Sequence, residues 1–232
     1  MTTALAVLGV LAALVFLAWL HLWYWTPRLE PRRRYALTER VATDDGSAIE
    51  LRRVTLAEVA EIDRIEPESE TWLGGEGTPL PPVLVVHGIG IDHRNNDMFD
   101  GRSIVRALAA RGRDVWLVTL RSGRHGLSLG ERSRVSFERM AKNDVPLAVR
   151  EVLRRTGQSR LDYVGFSMGG MLLYAALALR TVDPDALRRV AIIGAPGQVA
   201  APFRVLGVLA RVWPLWLVPP IWLDVPSRLV AF

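Results

Sequence analysis

The sequence has no cysteine, which excludes disulfide staples and thiolate-held metals. It has one lysine, Lys142, so nearly all of its positive charge is arginine. The formal charge is +5, but no block of basic residues is interleaved with aromatics, and this argues against a nucleic-acid partner. Together with plentiful Ala, Val, Leu, Gly and Pro, the arginine preference reads as the imprint of a GC-rich genome. No internal repeat is evident. Histidine is scarce: His21, His87, His93 and His125 are the four, and none lies in the second half of the chain beyond His125. Asp92, His93 and Asp97 are too loosely spaced for a metal site and read as a solvated loop. No metal and no cofactor is expected.

Half of the 232 residues are hydrophobic. Thr3 to Trp25 is an almost unbroken apolar run, long enough to cross a bilayer as a helix. Trp19, Trp23, Tyr24 and Trp25 cluster at its end like an interfacial aromatic belt, with His21 among them as an interfacial residue. A cleaved signal peptide fits less well: there is no basic n-region, the apolar run is too long, and bulky aromatics stand where small cleavage-site residues belong. Arg28, Arg32, Arg33 and Arg34 follow at once, so the positive-inside rule predicts a single-pass protein with its main domain in the cytoplasm. The remaining ~200 residues suffice for one domain with its own core.

Further along, Tyr35 to Val41 and Ala48 to Leu56 read as two strands joined by a turn at Asp44-Asp45-Gly46. Glu58 to Pro82 reads as a surface loop. Val83 to Val86 is a short, wholly apolar run of the kind found inside a parallel sheet. Ser103 to Ala110 is helical, Asp114 to Leu120 is a strand, and a polar loop extends to Arg134. Ser136 to Arg155 has helical spacing, with Ser136 as N-cap, Gly157 as the stop, and Pro146 predicting a kink or a break. Leu161 to Val164 is a buried strand, Met171 to Leu179 a helix, and Val190 to Ile193 another strand. Alternation of this kind predicts a mostly parallel sheet with right-handed crossovers.

Gly165-Phe166-Ser167-Met168-Gly169 falls between that strand and that helix. G-x-S-x-G in this setting is a turn that exposes a nucleophilic serine, with Gly165 and Gly169 giving the room a strained backbone needs and Gly170 adding more. A helix N-terminus behind Ser167 offers free N–H groups to a developing oxyanion.

In this order of elements, over about Val83 to Pro196, the chain resembles the α/β-hydrolase superfamily. The closest likeness is to acid lipases of the lysosomal and gastric type. It is carried by Val85-Val86-His87-Gly88, by Asp114-Val115-Trp116-Leu117, and by Met140 to Pro146 continuing through Thr156-Gly157-Gln158 to Tyr163-Val164-Gly165. Polyhydroxyalkanoate synthases are similar in the same region but usually place cysteine at the nucleophile, so Ser167 favours ester hydrolysis. The resemblance implies that Ser167 forms an acyl-enzyme and that the oxyanion hole uses the backbone N–H of Met168 and of Ile89, each contributing roughly 3 kcal/mol. It also implies that His87 and Gly88 support that loop, and that the Ile89 and Met168 side chains shape an acyl pocket.

The family's base follows the last strand. His93 and His125, in loops at the serine's end of the sheet, are read as loop residues, and base and acid stay unassigned. Asp224 is the only carboxylate beyond Asp185, within an apolar tail carrying Trp213, Trp216 and Trp222 that reads as the start of a cap. The expectation is therefore an anchor over residues 1–26, juxtamembrane segment, N-terminal strands and loop over 27–82, a hydrolase core over 83–196 lacking its last strands, and the tail over 197–232. A C-terminally truncated chain is favoured over an intact protein of unusual design. The expected activity is hydrolysis of a lipophilic carboxylic ester. The alternatives are a non-catalytic membrane-tethered scaffold or partner-binding domain, and an acyltransferase or polyhydroxyalkanoate-synthase-like protein. The partners are the lipophilic ester and the membrane, the latter through the N-terminal helix and the tail; oligomeric state is left open.

Overall fold

The structure is a computed structural model and describes residues 2–29, 33–60, 80–98 and 103–197. Its helices are α1 (Thr2–Leu29), α2 (Leu56–Ala60), α3 (Ile104–Ala110), α4 (Leu129–Arg132), α5 (Phe137–Arg139), α6 (Val145–Thr156) and α7 (Met168–Ala178). Its strands are β1 (Leu37–Ala42), β2 (Ala48–Val54), β3 (Val83–Val86), β4 (Val115–Thr119), β5 (Leu161–Phe166) and β6 (Leu187–Ile193). They form one six-stranded sheet in the order β1-β2-β4-β3-β5-β6. β1 and β2 make an antiparallel hairpin, and β2 joins β4 antiparallel. From there the sheet is parallel: β3 pairs with β4 and β5, and β5 with β6.

The middle of the sheet is packed on both faces, which is why β3 and β4 are buried at every position and read as continuous apolar runs. The larger cluster joins Leu84, Val86, Trp116 and Val118 to Val145, Ala148, Val152, Leu172 and Leu173, that is, to α6 and α7. The smaller joins Val83, Val85, Val115 and Leu117 to Val105 and Ala109 of α3. The two sets are the alternate residues of β3 and β4, as a period of two requires.

Strand and helix expectations agree with this framework to within a few residues, apart from the short helix α4 inside the expected polar loop and the differences that follow. The second strand ends at Val54 rather than Leu56, because the Thr55 N–H and hydroxyl both donate to Glu58 and start α2. The α-helix is interrupted just before Pro146, the break being one of the two outcomes expected. After the Ser136 cap, α5 passes through a π-helical stretch, Met140–Asp144, and α6 starts with Pro146 in its first turn, where no N–H is missed. The region from Asp92 to Asp97 is not a solvated loop: Asp97 is fully buried and accepts hydrogen bonds from Tyr35, Ser103 and Arg106. Burial raises the Asp97 carboxyl, yet the Arg106 guanidinium holds it below the usual carboxylate range.

α1 contains a 21-residue apolar stretch, Leu5–Trp25, with a mean hydropathy of 2.5, which is enough to cross a membrane; a signal sequence satisfies the same criterion. At its end the Arg28 guanidinium lies 3.6 Å over the Tyr24 ring and donates to the Tyr24 carbonyl. The Trp213, Trp216 and Trp222 tail and Asp224 lie outside the described residues, as does most of the expected loop, residues 61–79.

Candidate active site

Ser167 occupies the junction of β5 and α7 with φ 49° and ψ −116°. With Arg180 it is one of two described non-glycine residues at positive φ, and such a backbone costs about 1–3 kcal/mol unless its surroundings enforce it. The surroundings do. The Ser167 N–H donates to the carbonyl of Ile193 at the end of β6, and its own carbonyl accepts from Gly170 and Met171. The glycines supply the clearance for so tight a turn. A Cβ on Gly165 would stand 2.7 Å from the Gly170 nitrogen, one on Gly169 2.5 Å from the Val86 carbonyl, and one on Gly170 2.6 Å from the Ala195 Cβ. The Tyr163 hydroxyl, fully buried, donates to the Gly169 carbonyl at 2.8 Å and ties the strand to the first turn of the helix.

The segment after β3 meets this turn directly. A Cβ on Gly88 would lie 3.3 Å from the Ser167 Cβ and 3.2 Å from Ile91 and Phe166. His87 is completely buried, and both of its ring nitrogens are engaged: Nε2 accepts from the Leu120 N–H at 2.9 Å, and Nδ1 pairs with the Gly88 carbonyl at 2.7 Å. Because a backbone N–H can only donate and a carbonyl only accept, His87 carries its proton on Nδ1. Burial depresses its affinity for a second proton, so the ring is neutral.

The Gly88 carbonyl and the Ile89 N–H belong to one trans peptide and point in opposite directions, so the His87 hydrogen bond sets the direction of the Ile89 N–H. Among the described residues, neither that N–H nor the Met168 N–H is hydrogen-bonded to another group. The structure thus brings His87, Gly88, Ile89, Gly165, Ser167, Met168 and Gly169 to one end of the sheet. The two side chains expected to shape an acyl pocket diverge: Ile89 is 67% exposed, while Met168 is buried in the larger core.

The other two imidazoles differ sharply. His93 is buried beside the Thr119 hydroxyl, which also accepts from Arg52, and desolvation drives its pKa down to about 3. His125 is exposed on the loop after β4, and its Nε2 lies 3.1 Å from the Asp92 carboxylate. Burial opposes ionisation of Asp92, but His125, His93 and Arg94 hold its carboxyl far below the ordinary value. The pair pins the loop after β3 to the loop after β4. No hydrogen bond joins an imidazole to the Ser167 hydroxyl among the described residues.

Comparison with known proteins decides the family. The alpha/beta hydrolase fold family matches residues 81–217, more than half of the chain. The chain belongs to the α/β-hydrolase fold family. Its curated relatives include lipase member M of Mus musculus, 30% identical over 60% of this chain and 32% of that protein. They also include the lysosomal acid lipase/cholesteryl ester hydrolase of Homo sapiens, 31% identical over 53% and 32%. Gastric triacylglycerol lipase of Homo sapiens is 29% identical over 69% and 38%. The chain spans about a third of the length of these relatives. A thermostable carboxyl esterase from Bacillus coagulans shares the fold at a TM-score of 0.51 with 16% identity, covering 76% of this chain and 49% of that one.

What sequence reasoning missed lies on the loop after β4. Arg121, fully buried, donates through its backbone N–H, Nε and Nη2 to Asp144, and through Nη1 and Nη2 to Asp45. Arginine inside an apparently polar loop gave no sign of this; the nearest signal was Asp144 within the Met140 to Pro146 segment that carried the family resemblance.

Proposed function

We propose that this chain is a serine hydrolase of lipophilic carboxylic esters working through an acyl-enzyme on Ser167. The observation that carries the reading is the strained positive φ of Ser167 at a strand–helix junction, enforced by close-packed glycines. In this mechanism Ser167 Oγ attacks the ester carbonyl carbon and yields its proton to a base, as the carbonyl π electrons move to oxygen. The N–H groups of Met168 and Ile89 then receive that oxyanion. Collapse expels the alcohol, protonated as it leaves, and water repeats the sequence to release the acid and restore Ser167. His87 and His93 are not the base, because their ring nitrogens are committed or buried. The lipophilic character is supported by relatives named for acid, cholesteryl ester and triacylglycerol lipase activity, and by the exposed Ile89 side chain in the segment that meets the Ser167 turn.

In the same reading α1 tethers the domain as a single span, with Trp19, Trp23, Tyr24 and Trp25 at the interface and the domain on the cytoplasmic side. Labelling with a long-chain fluorophosphonate tests the chemistry: the full-length protein becomes phosphonylated at Ser167 and the Ser167→Ala variant does not. Folded wild type that resists labelling would instead mark a non-catalytic, membrane-tethered domain. Alkaline extraction of membranes, followed by protease protection of sealed vesicles, tests the tether and its orientation.

A further inference from the structure

We propose that the buried Arg121–Asp144 ion pair is a positioning pair for the reaction at Ser167, acting through Leu120 and His87 on the peptide that presents the Ile89 N–H. This rests on the acyl-enzyme reading above and adds to it a second layer that touches neither substrate nor nucleophile.

The chain of contacts is continuous. Asp144 Oδ2 accepts from the Arg121 N–H at 3.0 Å, and the Leu120 carbonyl of the same peptide accepts from the Gly123 N–H at 3.0 Å. That peptide is therefore fixed at both ends. The preceding peptide presents the Leu120 N–H to His87 Nε2 at 2.9 Å, which fixes the ring's tautomer and leaves Nδ1–H for the Gly88 carbonyl. The plane of the Gly88–Ile89 peptide follows. Gly123 seals the arrangement, since a Cβ there would stand 2.7 Å from the Ile91 carbonyl and 3.0 Å from His87 Nε2. Asp144 has no exposed surface and Arg121 none either, so their three hydrogen bonds work without competition from water. Asp45, in the turn between β1 and β2, accepts from the remaining face of the guanidinium and anchors it to the hairpin.

A purely structural ion cluster exists in the same molecule for comparison. Asp162, at the amino end of β5, accepts from Arg113 and from both Nε and Nη2 of Arg188. It lies five residues before Ser167, at the opposite end of β5 and roughly 16 Å away at the usual strand rise.

The test uses full-length protein in detergent and three variants: Asp144→Asn, which keeps an acceptor for the Arg121 N–H but weakens the pair, the double variant Arg121→Met with Asp144→Leu, which refills the core with apolar atoms, and Asp162→Asn as the stability control. If Asp144→Asn fails to fold, the double variant carries the measurement, because apolar replacement of a buried pair is often tolerated. Each folded variant is assayed for the rate of phosphonylation of Ser167, for kcat and KM with a chromogenic ester, and for the ¹⁵N signature of the His87 ring.

The expected result is a ~10–100-fold slower phosphonylation and lower kcat in the double variant, a smaller loss in Asp144→Asn, and KM within about twofold. The His87 ring is expected to lose its fixed Nδ1–H tautomer, while Asp162→Asn keeps the wild-type rate and spectrum. A double variant that labels as fast as wild type overturns the positioning role alone. Wild type that is never labelled overturns the acyl-enzyme reading, and this role with it.

Discussion

The Tyr163 hydroxyl lies 2.8 Å from the Gly169 carbonyl, joining β5 to the first turn of α7. The tyrosine is fully buried, and burial pushes its pKa upward, so it serves as a neutral donor over the whole accessible pH range. Tyr163→Phe keeps the ring and removes only the donor. The expected loss is about 1 kcal/mol in urea unfolding with an unchanged m value. A variant as stable as wild type would show that this bond is dispensable.

Glycine substitutions should rank by clearance. Gly169→Ala places a methyl 2.5 Å from the Val86 carbonyl, a backbone atom in the centre of the sheet that cannot retreat. Gly157, the left-handed cap of α6, has open space around it and meets only the φ penalty at +67°. Gly157→Ala should cost ~1 kcal/mol and Gly169→Ala several times that, or abolish soluble expression, as thermal melts of the pair will show.

Strain at Ser167 has its own signature. Ser167→Ala keeps a Cβ and therefore keeps the φ penalty, whereas Ser167→Gly removes it. The glycine variant should melt above the alanine variant by the equivalent of ~1 kcal/mol, reduced by the greater freedom glycine gives the unfolded chain. Both should be unreactive toward fluorophosphonate. Equal melting temperatures would mean that the serine backbone is not strained.

His93 predicts how stability responds to mild acid. Its pKa falls from 6.5 to about 3 because the ring is buried. Between those values the unfolded chain binds a proton that the folded chain refuses, so stability is complete above pH ~6.5 and declines as pH falls toward 3. The slope approaches ~1.4 kcal/mol per pH unit from this one group. Urea midpoints measured from pH 7 to pH 4 should fall more steeply in wild type than in His93→Asn; parallel curves would assign the acid sensitivity elsewhere.

Much of the candidate site was legible because it is local. Gly165 to Gly170 encode a turn within six consecutive residues, and Val83 to Gly88 encode a buried strand and the segment that meets it. The α1 helix was legible for the same reason, as a single, almost unbroken apolar run. What escaped is non-local or energetic in kind. Nothing near Arg121 announces that its partners are Asp45 and Asp144, since that meeting brings together the turn between β1 and β2, the loop after β4 and the π-helical stretch before α6. His93 and Asp97 looked solvated because charge in a short polar segment ordinarily is, yet Tyr35, Thr119 and Arg106 come from distant elements to satisfy them. The π stretch before Pro146 was visible only as a conflict between helical spacing and proline, which left a kink or a break open without showing that π turns would make the break.

The all-buried pattern of β3 has one more consequence. A strand with one wet face is locked in register by its own alternation, because a slip of one residue would turn the apolar set outward. Val83 to Val86 has no wet face and no such lock: moved by one position, its four aliphatic side chains would still find greasy surroundings on either side. What tells the strand where to stop is the residue that follows it. Only one alignment lets the His87 ring reach the Leu120 N–H and Gly169 come up against the Val86 carbonyl. The first polar side chain after the strand thus acts as the ratchet tooth of the central sheet, and chain-length changes inside β3 are read out at the serine.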